Sequence, residues 1–446
     1  MMGTSFLQDL IASLMDRRAR FSGAADDRSI IDLCAALRTT TGENAIKRLG
    51  ATILTKYLGL HDDEKRAFFH FLASDMDIDT DRVRDLAEAY GQTGQVDIFR
   101  DLMEAAEPAR QSIFRRLNHV PNGTRALVEM REDLLAMMGD DEALKRVDLD
   151  FAHLFASWFN PGFLVRQRVS WESPASVLAK IIQYEAVHAI NDWDDLKRRI
   201  QPEDRRCFAF FHPAMPHEPL VFVEVALCDG APTSIQALLR EDRAPIDSER
   251  ADMAIFYSIS NCQHGLRGIS FGNSLIKQVV AELALELPNL TNFMTLSPVP
   301  GFTRWLQGDA AGLTTQQVDA LHMARTKFVR DGDASAINGW QGALSALCAR
   351  YLVGGKRSDG LPLDPVARFH LNNGAALSNI LPMADLSEKG IGQSFGMMVN
   401  YHYDLPLVED RHDAYASTRS VAVSRTVRAL ADGPVAFPEL EKSVVA

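Results

Sequence analysis

From the N-terminus to about Arg168 the apolar positions recur at helical spacing, as in Val83, Leu86 and Tyr90 and again in Leu127, Met130, Leu134 and Met137. Pro108, Pro121-Asn122-Gly123 and Asn160-Pro161-Gly162 interrupt the pattern where helices must end. Residues 1–167 therefore predict an all-α helical bundle. Single histidines on its faces, His61, His70, His119 and His153, read as structural or solvated. Ser173-Pro174 then opens a helix carrying Val177, Leu178, Ile181 and Ile182, and strand-length apolar runs begin near Cys207. The class is α+β and multidomain, with a mixed α/β domain over 168–446. Glu224 stands in the middle of the run LVFVEVAL and reads as facing solvent from one side of a strand.

The stretch Ala254 to Trp305 is the densest in signals. An apolar run to Ile259 ends at Ser260-Asn261, Gly265, Gly268 and Gly272 punctuate a loop, and a helix follows with Leu275, Ile276, Val279, Val280, Leu283 and Leu287 on one side. Glycines let backbone approach a ligand closely, and a helix start offers unpaired N–H groups, so this loop can cradle a pyrophosphate. A plain β-loop-α turn would use glycines too. The spacing matches neither G-x-x-x-x-G-K-[ST] nor a first-strand G-x-G-x-x-G.

Ser297 closes the apolar run Phe293 to Leu296 and is followed by Pro298 and Pro300, which lack the N–H that a ladder requires. The strand must part from its neighbour there. His370 stands in Phe-His-Leu-Asn-Asn-Gly, read as following a loop, and Tyr401 lies in VNYHY. Taken alone, Ser297 and His370 read more readily as structural residues than as functional ones.

The spread-out R-G-x-x-x-G pattern resembles the pyrophosphate loop of GNAT acyltransferases, which holds coenzyme A. With it stand FHPAMPHEPLVFVEVAL (Phe211 to Leu227), TLSPVPGF (Thr295 to Phe302), LDPVARFHLNNGA (Leu363 to Ala375) and MMVNYHYDL (Met397 to Leu405). Together these words closely resemble the malonyl-CoA decarboxylase family from about Ser170 onward. The resemblance implies a GNAT-like acyl-CoA domain that turns malonyl-CoA into acetyl-CoA and CO2. It implies catalytic roles for Ser297, His370 and Tyr401, with His370 as proton donor, Ser297 holding the malonyl carboxylate or relaying the proton, and Tyr401 near the active site in a part that the resemblance does not specify. Arg267, Gly268, Ile269, Ser270, Phe271, Gly272 and Asn273 would bind the pyrophosphate. An imidazole at its ordinary pKa of about 6.5 would suit proton delivery near neutrality.

Such a reaction calls for no metal or organic cofactor, because the thioester carbonyl accepts the electrons that CO2 leaves behind. Composition is consistent with this picture. The 446 residues are 46% hydrophobic, enough for two or three cores, and 47 Lys plus Arg against 59 Asp plus Glu give a net charge of −12. A nucleic-acid partner is not expected. Five separated cysteines without a C-x-x-C pair argue against a zinc site or disulfide framework, and no apolar stretch approaches the roughly 18 residues of a membrane span. A cytoplasmic homo-oligomer, dimer or tetramer, is the expectation, with the bundle as its assembly surface. Acyl transfer to an amine and a catalytically inactive acyl-CoA sensor are the alternatives.

Overall fold

The computed structural model describes residues 26–271, 275–332 and 335–438. By contact the chain forms two compact units: one reaches Trp158 and also takes in His264–Ile269, and the other comprises Phe159–Gln263 and the chain from Ser270 onward. The first unit thus ends before the expected 167. A 3-10 turn at Pro161–Phe163 and the strand Val165–Val169 already belong to the second.

The first unit is helical, as the periodicity predicts, from Ile30–Thr39 to Glu142–Trp158. Ser29 opens it with a capping box: its hydroxyl accepts the Asp32 N–H at 3.1 Å while the Asp32 carboxylate accepts the Ser29 N–H at 3.3 Å. Leu33, Phe69, Leu72, Leu117, Leu127 and Phe155 are buried, and Phe114 stacks on Phe151 with ring centres 4.1 Å apart. The returning segment His264–Ile269 is fastened here by Arg131. That buried side chain donates to the carbonyls of Gly265 at 2.7 Å and Arg267 at 2.9 Å, and to Asp148 at 2.7 Å. Gly265 is needed for packing, since a Cβ there would stand 1.9 Å from the Val128 carbonyl oxygen.

The second unit is built on a mixed sheet: β1 (Val165–Val169), β2 (Arg205–His212), β3 (Met215–Cys228), β4 (Met253–Asn261), β5 (Asn292–Thr295), β6 (Ser297–Pro298), β7 (Ala376–Leu381) and β8 (Met398–His402). The order is β1-β2-β3-β4-β5-β8-β6, with β7 also on β8; only β4 and β5 run parallel. The helix Leu275–Glu286 joins that parallel pair and packs on one face, with the helices Gln341–Gly354 and Pro365–Asn372 contributing to the same core. Helices Ala175–Tyr184 and Trp193–Ile200 cover part of the other face. This is a mixed α/β domain, as the strand-length runs after Cys207 predicted. Among the described residues no helix is long and apolar enough to cross a membrane.

A bulge in β4 changes what its residues face. Val225 pairs with Phe256 but Glu224 pairs with Ser258, so Tyr257 is the extra residue and the alternation shifts by one. Ser258 and Ser260 are turned toward the Glu185 carboxylate, with Ser258 Oγ 2.7 Å from Oε2 and Ser260 Oγ 3.1 Å from it. Glu224 is 0% exposed, which overturns the solvent-facing reading: β3 lies inside the sheet and is covered on this side. Its cationic partner among the described residues is Arg199, at 3.4 Å, and Arg199 is shared with Asp195. Burial, followed by the Glu185 charge, pushes the Glu224 carboxyl up to about 8.

Such a carboxyl binds its proton more tightly in the folded chain than in the unfolded one, where the value is 4.5. Its contribution to stability is therefore greatest at acid pH and declines as pH rises toward 8. Glu224→Gln should raise Tm over wild type at about pH 8, by some 2–4 °C per kcal/mol relieved, and by less at about pH 5. Thermal melts at the two pH values decide. An equal drop at both would mean that the carboxylate is held favourably after all.

Candidate active site

The site begins where the parallel ladder stops. Phe256 and Thr295 are the last paired residues of β4 and β5, and the Leu296 N–H reaches the Phe256 carbonyl at 2.9 Å. Beyond that point β4 continues to Asn261 beside β3 alone, while Ser297 and Pro298 stay with β8, pairing with Val399 and Met398 in the antiparallel register that Met294 and His402 already set. The prolines make this parting unavoidable, as the sequence suggested. Side chains tie the departing strand to β8: Thr295 Oγ1 accepts the Tyr401 N–H at 3.0 Å, and Asn400 Nδ2 donates to the Thr295 carbonyl at 2.7 Å.

His370 lies in the last turn of the Pro365–Asn372 helix rather than after a loop. The reading missed a strong start signal: Asp364 is the N-cap, accepting the Ala367 N–H at 2.9 Å, and Pro365 takes the first helical position. Gly374, at φ +80°, follows the helix end, and the Ala375 N–H returns to the His370 carbonyl at 3.1 Å.

This places His370, 2% exposed, beside Ser297, 5% exposed. His370 Nε2 and Ser297 Oγ are 3.2 Å apart, Ser297 Oγ is 2.8 Å from Thr295 Oγ1, and His370 Nδ1 is 2.8 Å from the Tyr403 hydroxyl. The four groups form one chain, Tyr403–His370–Ser297–Thr295. Because a neutral imidazole has one donor and one acceptor nitrogen, the chain has only two self-consistent directions. Burial lowers the His370 pKa to about 3, so the ring is neutral near pH 7 rather than half-titrated at 6.5 as expected from sequence.

Tyr401 lies against His370. Its ring stacks on the imidazole at 4.5 Å and 22°, but its hydroxyl has no hydrogen-bond partner among the described residues. The phenol that reaches His370 is Tyr403. Positions 401 and 403 share one side of a strand-like segment, so VNYHY carried both, and only the helix packed against β8 selects the outer one.

The expected pyrophosphate loop is partly visible. Arg267, Gly268 and Ser270 are exposed, Ile269 and Phe271 are half-buried, and Gly272 and Asn273 lie outside the described residues. Gly268 has φ +81° with open space where a Cβ would stand. Arg267 to Ile269 belong by contact to the first unit and Ser270 onward to the second. Cys262, the residue after β4, is buried, and burial pushes its thiol far up.

Known proteins are similar to this chain in sequence and in structure. The family model described as malonyl-CoA decarboxylase C-terminal domain matches residues 162–440, and the N-terminal domain model of the same name matches 77–159. A protein from Anser anser anser named malonyl-CoA decarboxylase, mitochondrial, is 36% identical over 418 residues, covering 85% of this chain and 82% of its own. The Mus musculus protein of that name is 38% identical over 362 residues, covering 74% and 72%. The crystal structure of malonyl-CoA decarboxylase from Rhodopseudomonas palustris is similar at TM-score 0.85 and 46% identity, over 90% of this chain and 98% of the other. That from Agrobacterium vitis gives 0.84 and 44%, over 90% and 99%. With its two successive domain models matched and more than a third of aligned positions shared with relatives of nearly its own extent, this chain belongs to the malonyl-CoA decarboxylase family.

Proposed function

We propose that this chain converts malonyl-CoA to acetyl-CoA and CO2, with Ser297 and His370 returning a proton to the α-carbon. The observation that carries this reading is the buried 3.2 Å contact between Ser297 and His370 at the point where β4 and β5 part. In a GNAT-like domain that parting is where the acyl-pantetheine chain enters, and family membership supplies the substrate. The loop Arg267 to Asn273 is assigned to the pyrophosphate.

The bond between the malonyl carboxylate and the α-carbon breaks, and its electron pair passes into the thioester carbonyl to give an enolate as CO2 leaves. The substrate is its own electron sink, so the proposal calls on no metal or organic cofactor. The α-carbon then takes a proton. An enolate carbon is a stronger base than an alkoxide, so a neutral hydroxyl suffices as its acid, and no imidazolium is required. Ser297 gives its O–H proton to carbon, His370 Nε2–H restores the serine, and Tyr403 can restore Nδ1. One proton from solvent balances each turnover. In this division of labour His370 supplies the proton through Ser297. The same reading carries a cytoplasmic placement and a homo-oligomer, dimer or tetramer; the Anser and Mus relatives are named mitochondrial.

Incubation with malonyl-CoA alone should yield acetyl-CoA and CO2; dependence on an added amine would indicate acyl transfer instead. Ser297→Ala should lower kcat by about 10²–10³ and His370→Asn by about 10²–10⁴, with KM changed far less, because both groups act after the substrate is bound. The double variant should be hardly slower than the poorer single one. Tyr403→Phe, which leaves Nδ1 without its partner, should cost roughly 5- to 100-fold in kcat. If Ser297→Ala turns over normally, the serine only ends a strand.

The loop has its own test. A β-branched residue does not hold φ +81°, so Gly268→Val must move the neighbouring N–H groups. KM for malonyl-CoA and Kd for free coenzyme A should rise together. A folded variant with unchanged coenzyme A affinity removes the pyrophosphate from this loop.

A further inference from the structure

Asp364 is 0% exposed and has no salt-bridge partner among the described residues, yet it is tied to two different segments. One is its own helix. Its carboxylate accepts the backbone N–H of Ala367 at 2.9 Å, and six residues along this helix stands His370. The other is the turn after Ser297, whose Gly301 packs against the second carboxylate oxygen and the Tyr351 hydroxyl beside it. Between Ser297 and Gly301 lie Pro298, Val299 and Pro300, whose two fixed φ angles transmit the position of one end to the other. Gly301 itself is pressed inward: a Cβ there would stand 2.2 Å from the Tyr351 hydroxyl and 4.0 Å from Asp364 Oδ2. The Tyr351 hydroxyl lies 3.5 Å from the same oxygen.

We propose that Asp364 is a positioning residue for the Ser297–His370 pair, one buried carboxylate that fixes both the turn leaving Ser297 and the helix carrying His370. This rests on the reading of that pair given above. A cap alone would not need a carboxylate, since Ser, Thr or Asn caps a helix as well and brings no buried charge. What a carboxylate has beyond these is a second oxygen that only accepts. The groups facing it do not neutralise it: Tyr351 and Cys348 come from the Gln341–Gly354 helix and Tyr401 from β8. Arg368, on its own helix, gives its guanidinium to the carbonyls of Pro362 and Leu363, both at 2.8 Å. Burial accordingly raises the Asp364 pKa to about 6. The raised value means that the folded chain is less stable with this group ionised than with it neutral.

Asp364→Asn keeps the volume and one oxygen for the helix but sets an NH2 where the second oxygen stood. The variant should melt no lower than wild type at about pH 7.5. Its kcat should nevertheless fall about 10- to 100-fold, the scale of a misplaced reacting group, with KM within about threefold. In a Ser297→Ala background the same change should cost less than about twofold, because no pair remains to be aligned. A folded Asp364→Asn with wild-type kcat overturns the proposal. So does a loss that is undiminished in the Ser297→Ala background, which would mark a plain structural cap. Should the Asn variant not fold, the wild type decides: its kcat must drop as pH falls through about 6, at unchanged circular dichroism, because protonation removes an acceptor. A flat kcat from about pH 7.5 to 5 overturns it. Normal turnover in Ser297→Ala alone would instead remove the pair, and is read separately.

Discussion

The constraint on which the second unit depends is the end of the β4/β5 ladder at Phe256 and Thr295. A sheet that stops inside a protein leaves backbone donors and acceptors that must be satisfied in another way. Here the strand loses β4 and keeps β8, and side-chain hydrogen bonds among Thr295, Asn400 and Tyr401 strengthen its hold on β8. The bulge at Tyr257 supplies the matching distortion on β4. Ser297 stands beside His370 where its strand has already parted from β4.

Burial decides the charge states on both faces of this sheet. Around Ser297 it keeps the imidazole neutral and the phenols protonated, so protons can move only along oriented hydrogen bonds. Around Glu224, on the opposite face, it holds a carboxyl in a cluster with Arg199, Asp195, Glu185 and two serines. His188 Nε2, Glu224 Oε1 and Tyr257 Oη have no partner among the described residues in that region, which is an unusual concentration of unsatisfied polar atoms.

The sequence announced some of this and concealed the rest, for physical reasons. Helical spacing gave the bundle, and the prolines after Ser297 gave the parting of the strands, because both are local effects on the backbone. The helix under His370 was legible too, in Asp364-Pro365, but was passed over in favour of the Asn-Asn-Gly that ends it. The partnership of Ser297 with His370, 73 residues apart, came only through the family words. Tyr403 could not be told from Tyr401, since alternation puts both on one side. Glu224 was misread because a strand's pattern shows which residues share a face, and not whether something covers it. Gly265 looked like a ligand-binding glycine, yet it serves the Val128 carbonyl.

The return of His264–Ile269 to the first unit makes the two units something other than modules. Gly265 can lie where it does only against Val128, and the carbonyls of Gly265 and Arg267 have Arg131 as their donor. A gene cut at Phe159 would therefore encode a second unit in which six residues of the β4-to-helix connection had lost the surface that shapes them. Recombination at that boundary would break the connection even though the boundary itself lies in an ordinary turn. The two parts are bound to be inherited together, and substitutions at Val128 or Arg131 are constrained by a loop more than 130 residues away along the chain.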